Sequence, residues 1–291
     1  GNINIKERTK DLVIKSSNCN TINIDYIDNI VRHGVYRIYD NNIVSGNIKK
    51  NIGKNLNIEK SLGGILYNST MKALYNDSTY INCIINVSNS FLGYINKIKI
   101  TNCTFKPTDD FIDNYKISFN GCHADDCIFN GCIFYGHTIL SNHFYFYSAK
   151  FINCTFYDLL IEPNVVAEET DEIIFINCII SSSNDYLIKY APYGYTKGNY
   201  TKVTFDNCNI SNITNGNLFA YGYAKPSKGF LNLNNCILNL PNLNIFFDCS
   251  ISYLENIENF NIILINTPLN DSISILNDKL KNNPNINITI S

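Results

Sequence analysis

The chain has 291 residues, enough for one elongated domain or two compact ones, and an ordinary apolar fraction of 45%. Its net charge is only −2 and arginine occurs three times, at Arg8, Arg32 and Arg37, so the clustered cations that grip nucleic-acid phosphates are missing. Asparagine fills about one position in six and there is no tryptophan.

Near the N-terminus, Ile3 and Ile5, Leu12 and Ile14, and Ile22 and Ile24 read as short alternating strands. Asp25 to Arg32 reads as a short helix. Residues 1–45 are therefore expected to form an N-terminal cap or adaptor, since a repeating β structure must cover its open end. Gly46 to Ser78 reads as early, degenerate coils, with Gly63-Gly64 at a turn.

From Tyr80 a short unit recurs: an apolar residue, a gap, Asn or Gly, Cys, a gap, an apolar residue. Copies are Ile81-Asn82-Cys83-Ile84-Ile85, Ile100-Thr101-Asn102-Cys103-Thr104-Phe105, Phe151-Ile152-Asn153-Cys154-Thr155-Phe156, Phe175-Ile176-Asn177-Cys178-Ile179-Ile180, Phe205-Asp206-Asn207-Cys208-Asn209-Ile210 and Leu233-Asn234-Asn235-Cys236-Ile237-Leu238. Each is rich in strand formers and too short for a helix. Asn and Gly tolerate a left-handed backbone, so the unit reads as strand, one-residue bend, strand. A chain bent this way on every turn winds into a solenoid whose equivalent residues stack, with cysteine inward as a small apolar residue. Cysteines recur at steps of 20, 19, 22, 24, 30 and 28 residues, counted from Cys83 to Cys122 and from Cys132 to Cys236. Coils of that length fit a parallel β-helix, the longer intervals carrying loops at Pro107–Asn114, Tyr157–Asp171, Ser181–Lys202 and Asn212–Lys228.

Between Phe119 and Ile139 the period tightens to five, with Cys122, Cys127 and Cys132 in step and His137 at the next corner position. After Asn244 the pattern weakens. Ile262 to Ile265 reads as a buried strand, Asp271 to Lys281 as an amphipathic helix capped by Asp271 or Ser272, and Asn285 to Ile290 as a final strand. The expected fold is all-β: a right-handed parallel β-helix over residues 46–265, with small terminal caps at 1–45 and 266–291, the last made of helix plus strand.

The corner units from about Tyr80 to Leu240 resemble the pectate-lyase-like right-handed parallel β-helix superfamily, which includes polysaccharide lyases and hydrolases, phage tailspikes and adhesins. The run Cys127 to Gly136 also resembles pentapeptide-repeat proteins, which form a square β-helix. The first resemblance implies a fold more than an activity. Enzymes of that superfamily rely on basic residues with Ca²⁺-binding acids, or on Asn-Thr-Asp, paired Asp and Gly-His-Gly motifs. Neither Asn-Thr-Asp nor Gly-His-Gly occurs here, and no arginine follows Arg37.

Three groups of residues could carry chemistry. His123, Asp125 and Asp126, with Asp109, Asp110 and Asp113 a coil earlier, offer carboxylates that could flank a glycosidic bond, although solvated corner residues explain them as well. Glu162, Glu168, Glu169, Asp171 and Glu172 form an acidic loop without the order of a calcium loop, and a solvated loop is the plainer reading. Tyr190, Tyr193, Tyr195 and Tyr200, followed by Tyr221 and Tyr223, supply flat faces and hydroxyls suited to sugars, or to packing against the rod. No cofactor or metal site is expected: there is no CxxC pair and no nucleotide fingerprint.

The eleven cysteines read as reduced, buried thiols. No signal-peptide pattern opens the sequence and no apolar run approaches a membrane span, so synthesis in a reducing cytoplasm without membrane insertion is expected. The functional expectation is a viral or phage surface protein, a tail fibre or receptor-binding spike, engaging a host surface polysaccharide or glycan, with a homotrimer as one expected assembly. The virion surface is the expected location, and a secreted or cell-surface location stays open. The alternatives are a polysaccharide depolymerase using a pair among Asp109, Asp110, Asp125, Asp126, Glu168 and Glu169, and a non-catalytic scaffold or adhesin.

Overall fold

The bend expected at each asparagine is present. Asn82, Asn102, Asn153, Asn177, Asn207 and Asn235 all have φ between 51 and 53°, the left-handed region that Asn tolerates better than most residues. Gly131 takes the same position in its own coil at φ 63°, and Asn266 does so at φ 45°. At each bend the N–H donates to the coil above, for example Gly131 N to Ile152 O at 2.8 Å and Asn153 N to Ile176 O at 2.8 Å. Side chains repeat the link: Asn153 Nδ2 donates to Asn130 Oδ1 (3.3 Å) and Asn177 Nδ2 to Asn153 Oδ1 (3.2 Å). Where Gly131 holds the bend, the preceding Asn130 supplies the amide, and Asn102 occupies the space over Gly131: a Cβ built there would lie 2.5 Å from Asn102 Oδ1.

The computed structural model describes residues 2–5, 12–15, 21–24, 36–39, 64–67, 70–71, 74, 78–85, 95–106, 116–118, 123–125, 127–140, 145–146, 148–162, 165–166, 172–183, 186–190, 199–200, 202–211, 217–221, 228–239, 245–249, 257, 259–271 and 273–291. Among them the chain is all-β. One face stacks strands in chain order, from Leu12–Lys15 through Cys127–Asn130, Ser148–Ile152, Glu172–Ile176, Lys202–Asp206, Lys228–Asn234 and Asn259–Ile265 to Ile286–Ile290, each parallel to the next. After each bend a second face stacks Ile84–Ile85, Thr104–Phe105, Ile133–Leu140, Thr155–Ile161, Ile179–Ser181, Asn209–Ser211 and Ile237–Asn239. Tyr186–Tyr190, Asn217–Tyr221, Ile245–Cys249 and Ser274–Leu276 continue the later coils. This is a parallel β-solenoid.

Its core is built from identical side chains in register. On the first face Phe129, Phe151, Phe175 and Phe205 stack with ring centroids 4.6–5.0 Å apart. On the second, Phe105, Phe134 and Phe156 stack at 4.4 Å. The two columns meet edge to face, as for Phe151 and Phe156 at 5.4 Å and 71°. Parallel and edge-on pairs both suit the ring quadrupole, each adding about 0.5–1.5 kcal/mol beyond area burial.

Seven corner cysteines, Cys83, Cys103, Cys132, Cys154, Cys178, Cys208 and Cys236, are buried and free. Their thiols act as donors: Cys154 Sγ reaches Ile152 O at 3.3 Å and, one coil back, Phe129 O at 3.5 Å. In the last coil Thr267 replaces cysteine and makes the same pair of bonds, to Ile265 O (3.0 Å) and Leu233 O (3.1 Å). The position therefore selects a small side chain with one hydrogen to give. Hydrogen bonding to the neighbouring thiol, with burial, pushes Cys154, Cys178 and Cys208 up to about 12, so these three thiols are protonated at neutral pH.

Several expectations need correction. The helix expected over Asp271–Lys281 is absent. Ser274–Leu276 is instead a strand paired with Ile245–Cys249, followed by turns, because the solenoid offers Ile245 and Phe247 an open ladder to extend. Three expected loops contain strands: Tyr157–Ile161 lies within Thr155–Ile161, and Tyr186–Tyr190 and Asn217–Tyr221 are strands of their own. His137 lies inside the strand Ile133–Leu140, not at a corner, and Cys127 lies in a strand opposite Ala149. The five-residue period therefore does not place Cys127, Cys132 and His137 at equivalent corners. The N-terminal strands fall at Asn2–Ile5, Leu12–Lys15 and Thr21–Ile24, while the helix expected at Asp25–Arg32 lies outside the described residues.

Candidate functional site

Outward positions on the second face are read by counting from each corner cysteine. The third residue after it faces out and gives the row Lys106, Tyr135, Tyr157, Ser181, Ser211 and Asn239. Tyr135 and Tyr157 sit on successive coils, 41% and 53% exposed, their rings parallel within 11° and 4.9 Å apart. Two large apolar rings so exposed on a rigid strand surface are not needed by the core.

A bulge sits beside them. Phe134 pairs with Phe156, yet His137 pairs with Asp158, so Tyr135 and Gly136 together oppose Tyr157. Gly136 absorbs the extra residue at φ 88°, a conformation that other residues rarely adopt. The bulge brings His137 into line with Asp158. His137 Nδ1 lies 2.8 Å from Asp158 Oδ2, and since an ionised carboxylate only accepts, Nδ1 carries the hydrogen. Ser183, one coil further, donates its N–H to Asp158 Oδ1 and its hydroxyl to Oδ2, both at 2.8 Å. Burial alone would raise the Asp158 carboxyl. The hydrogen bonds from His137 and Ser183 outweigh it and hold the group below the usual carboxylate range.

The arrangement is a row in which aspartate, not histidine, is central. Ser183 bonds to Asp158, so the trio is not a serine nucleophile triad, in which histidine lies between the other two. What it provides is an oriented imidazole, with Nε2 unused by Asp158, beside an exposed aromatic pair.

A depressed carboxyl implies pH-dependent stability. Because the folded value lies below the unfolded one, the Asp158 contribution is present above the unfolded pKa and is lost as pH falls through the folded value. The melting temperature of Asp158→Asn is expected to fall less than that of wild type between pH 7 and pH 3, that is, across the unfolded carboxyl range near ~3.9. Parallel curves for the two proteins would remove Asp158 from the account.

The residues singled out in the sequence fare differently. Asp109, Asp110, Asp126, Glu168 and Glu169 lie outside the described residues, and Asp125 is placed only as the last residue of the strand His123–Asp125. Tyr190 and Tyr221 are register partners on adjacent coils, and Tyr200 lies in the strand Asn199–Tyr200 opposite Val165. Tyr193, Tyr195 and Tyr223 lie outside the described residues. Glu172 is tied into the wall of the first face: its Oε1 accepts from Thr204 Oγ1 at 2.5 Å and lies 3.3 Å from Lys202 Nζ. Sequence reasoning passed over Tyr135, Asp158 and Ser183 and read His137 only as a corner residue. The available signal was the shared pattern Cys132-Ile133-Phe134-Tyr135 and Cys154-Thr155-Phe156-Tyr157.

Among the described residues, no group of three or more His, Cys, Asp or Glu side chains is placed to hold a metal ion. Compared with known proteins, the chain matches no family model, no curated protein and no solved structure.

Proposed function

We propose that the protein is a stiff surface component, of the viral or phage tail-fibre and spike type, that engages host glycans through the outer surface of its second solenoid face. The observation carrying this reading is the exposed, parallel Tyr135–Tyr157 pair beside the hydrogen-bonded row His137, Asp158 and Ser183. Apolar ring surface next to fixed hydrogen-bonding groups matches the two-sided chemistry of a sugar, with its C–H face and its hydroxyl rim. Stacked Phe columns and corner hydrogen bonds make the support rigid, so little order has to be created on binding.

A glycan array tests the reading. Wild type is expected to be retained on a subset of glycans, and Tyr157→Ala to lose most of that signal while keeping its melting temperature. Retention of no glycan, with tight capture of a protein partner instead, would favour a scaffold or adhesin. The solution mass by light scattering, with and without reductant, tests the assembly: a trimer that persists under reduction supports a spike.

A second reading, a polysaccharide-cleaving enzyme, is favoured by one observation, the carboxylate-held imidazole of His137, the arrangement of a general base. Release of oligosaccharide from a retained glycan, abolished in His137→Gln, would establish it.

A further inference from the structure

The tyrosine row ends abruptly. Lys106 precedes Tyr135, and Ser181 and Ser211 follow Tyr157, Ser181 and Ser211 being register partners. The two rings repeat at 4.9 Å, close to the spacing of about 4.8 Å between neighbouring strands. Each coil therefore offers one ring-sized place in this row, and two successive places are filled. At the third, the Ser181 hydroxyl turns back to the wall and donates to Tyr157 O at 2.6 Å and Phe156 O at 3.3 Å. A serine brings no ring to this place in the row. Tyr157 is accordingly the more exposed of the pair.

The surroundings of that place are asymmetric. Along the coil, Ser181 is flanked by Ile179, which is 54% exposed, and by exposed Ser183. Beyond Ser183 lies the Asp158–His137 pair. Above it come Ser211 and the exposed Asn209 and Asn239. At the level of Ser181 one edge is apolar, at Ile179, and the other carries the Ser183 hydroxyl, which donates to the Asp158 carboxylate.

We propose that the place over Ser181 is a monosaccharide subsite in which a neutral pyranose ring continues the stack as its third member. Its C–H face lies on the Tyr157 ring, its apolar edge meets Ile179, and its hydroxyls meet Ser183. The ring step of the protein matches the thickness that such a ligand needs. The negative charge on Asp158 disfavours a uronate, whose carboxylate would be brought beside it. This subsite rests on the glycan-binding reading above and specifies where, and by which sugar class, the rod is occupied.

Saturation-transfer NMR with methyl β-galactopyranoside, methyl β-glucopyranoside, methyl β-glucuronopyranoside and adenosine as probes tests it on the full chain. At least one neutral pyranoside is expected to bind wild type. Its affinity is expected to fall about tenfold in Tyr157→Ala, which removes the stacking face, and in Ser181→Tyr, which fills the place from within. Ser181→Leu serves as a second block should the tyrosine variant lose its fold by circular dichroism. Undiminished pyranoside binding in a folded blocking variant overturns the subsite while leaving glycan binding intact. Tighter binding of the glucuronide or of adenosine overturns the sugar class. Failure of every sugar probe together with a blank array overturns both this subsite and the glycan reading beneath it.

Discussion

Phe151→Ala is expected to lower the unfolding free energy by about 3–5 kcal/mol, the range for removing a fully buried phenylalanine. Phe151 touches rings of both phenylalanine columns. It stacks on Phe129 at 4.6 Å and on Phe175 at 5.0 Å, and it meets Phe134 and Phe156 edge-on at 6.1 and 5.4 Å. Truncation breaks the first column and removes the edge-on contacts that tie it to the second. The neighbouring rings are held at the strand spacing by backbone ladders on either side, so they cannot collapse into the gap. A solenoid is stable roughly as a sum of coils and the contacts between them, and a weakened interface in mid-rod separates two cooperative halves. Urea unfolding should therefore show both a lower midpoint and a shallower slope. A loss below about 1 kcal/mol would mean that the coils relax far more freely than this packing allows.

Gly229→Ala is expected to be the other severe change. Gly229 pairs with Phe260, and the Phe260 ring lies across it, so that a Cβ at 229 would fall well inside van der Waals contact of Cε2 and Cδ2. That ring is fully buried and packs 4.7 Å from Phe247, which leaves it no route outward. One added methyl group is expected to cost about 1–3 kcal/mol as overpacking. A double-mutant cycle isolates the cause: in a Phe260→Ala background the added cost of Gly229→Ala should largely vanish. An equal cost in both backgrounds would falsify the steric explanation and leave a backbone effect.

The rod was legible in the sequence because its corner is a local event. Asn before Cys demands a left-handed residue and then a small inward one, and all six quoted copies form the bend. The bend at Asn266 was missed because Thr267 stands where cysteine was expected, although the hydroxyl makes the same bonds as a thiol. Lys97, at φ 53°, was missed because neither of its neighbours carries the signature. The false helix at Asp271–Lys281 came from the spacing of Ile273, Leu276 and Leu280, which suits a helix. An unfilled ladder at Ile245–Cys249 outweighed that local preference, and a tertiary partner of this kind is invisible to periodicity.

The candidate site was less legible for a related reason. Tyr135 and Tyr157 are 22 residues apart, Asp158 and Ser183 are 25 apart, and the intervals between corners vary. Which outward residues touch depends on coil length and on a one-residue bulge at Gly136. Neither is set by residue type alone.

The corner chemistry also bears on how such a rod can change over generations. Among the described residues, successive corners present their neighbours with the same donors and acceptors: Gly131 N bonds to Ile152 O just as Asn153 N bonds to Ile176 O. A stretch running from one corner to the next, such as the 24 residues from Cys154 to Cys178, is therefore an interchangeable module. Loss or duplication of one rejoins like ends and moves everything beyond it by a single step of about 4.8 Å. The height at which the rod presents its tyrosines can thus be reset by exchange between segments that share the corner, in whole steps, without redesign of the wall that carries them.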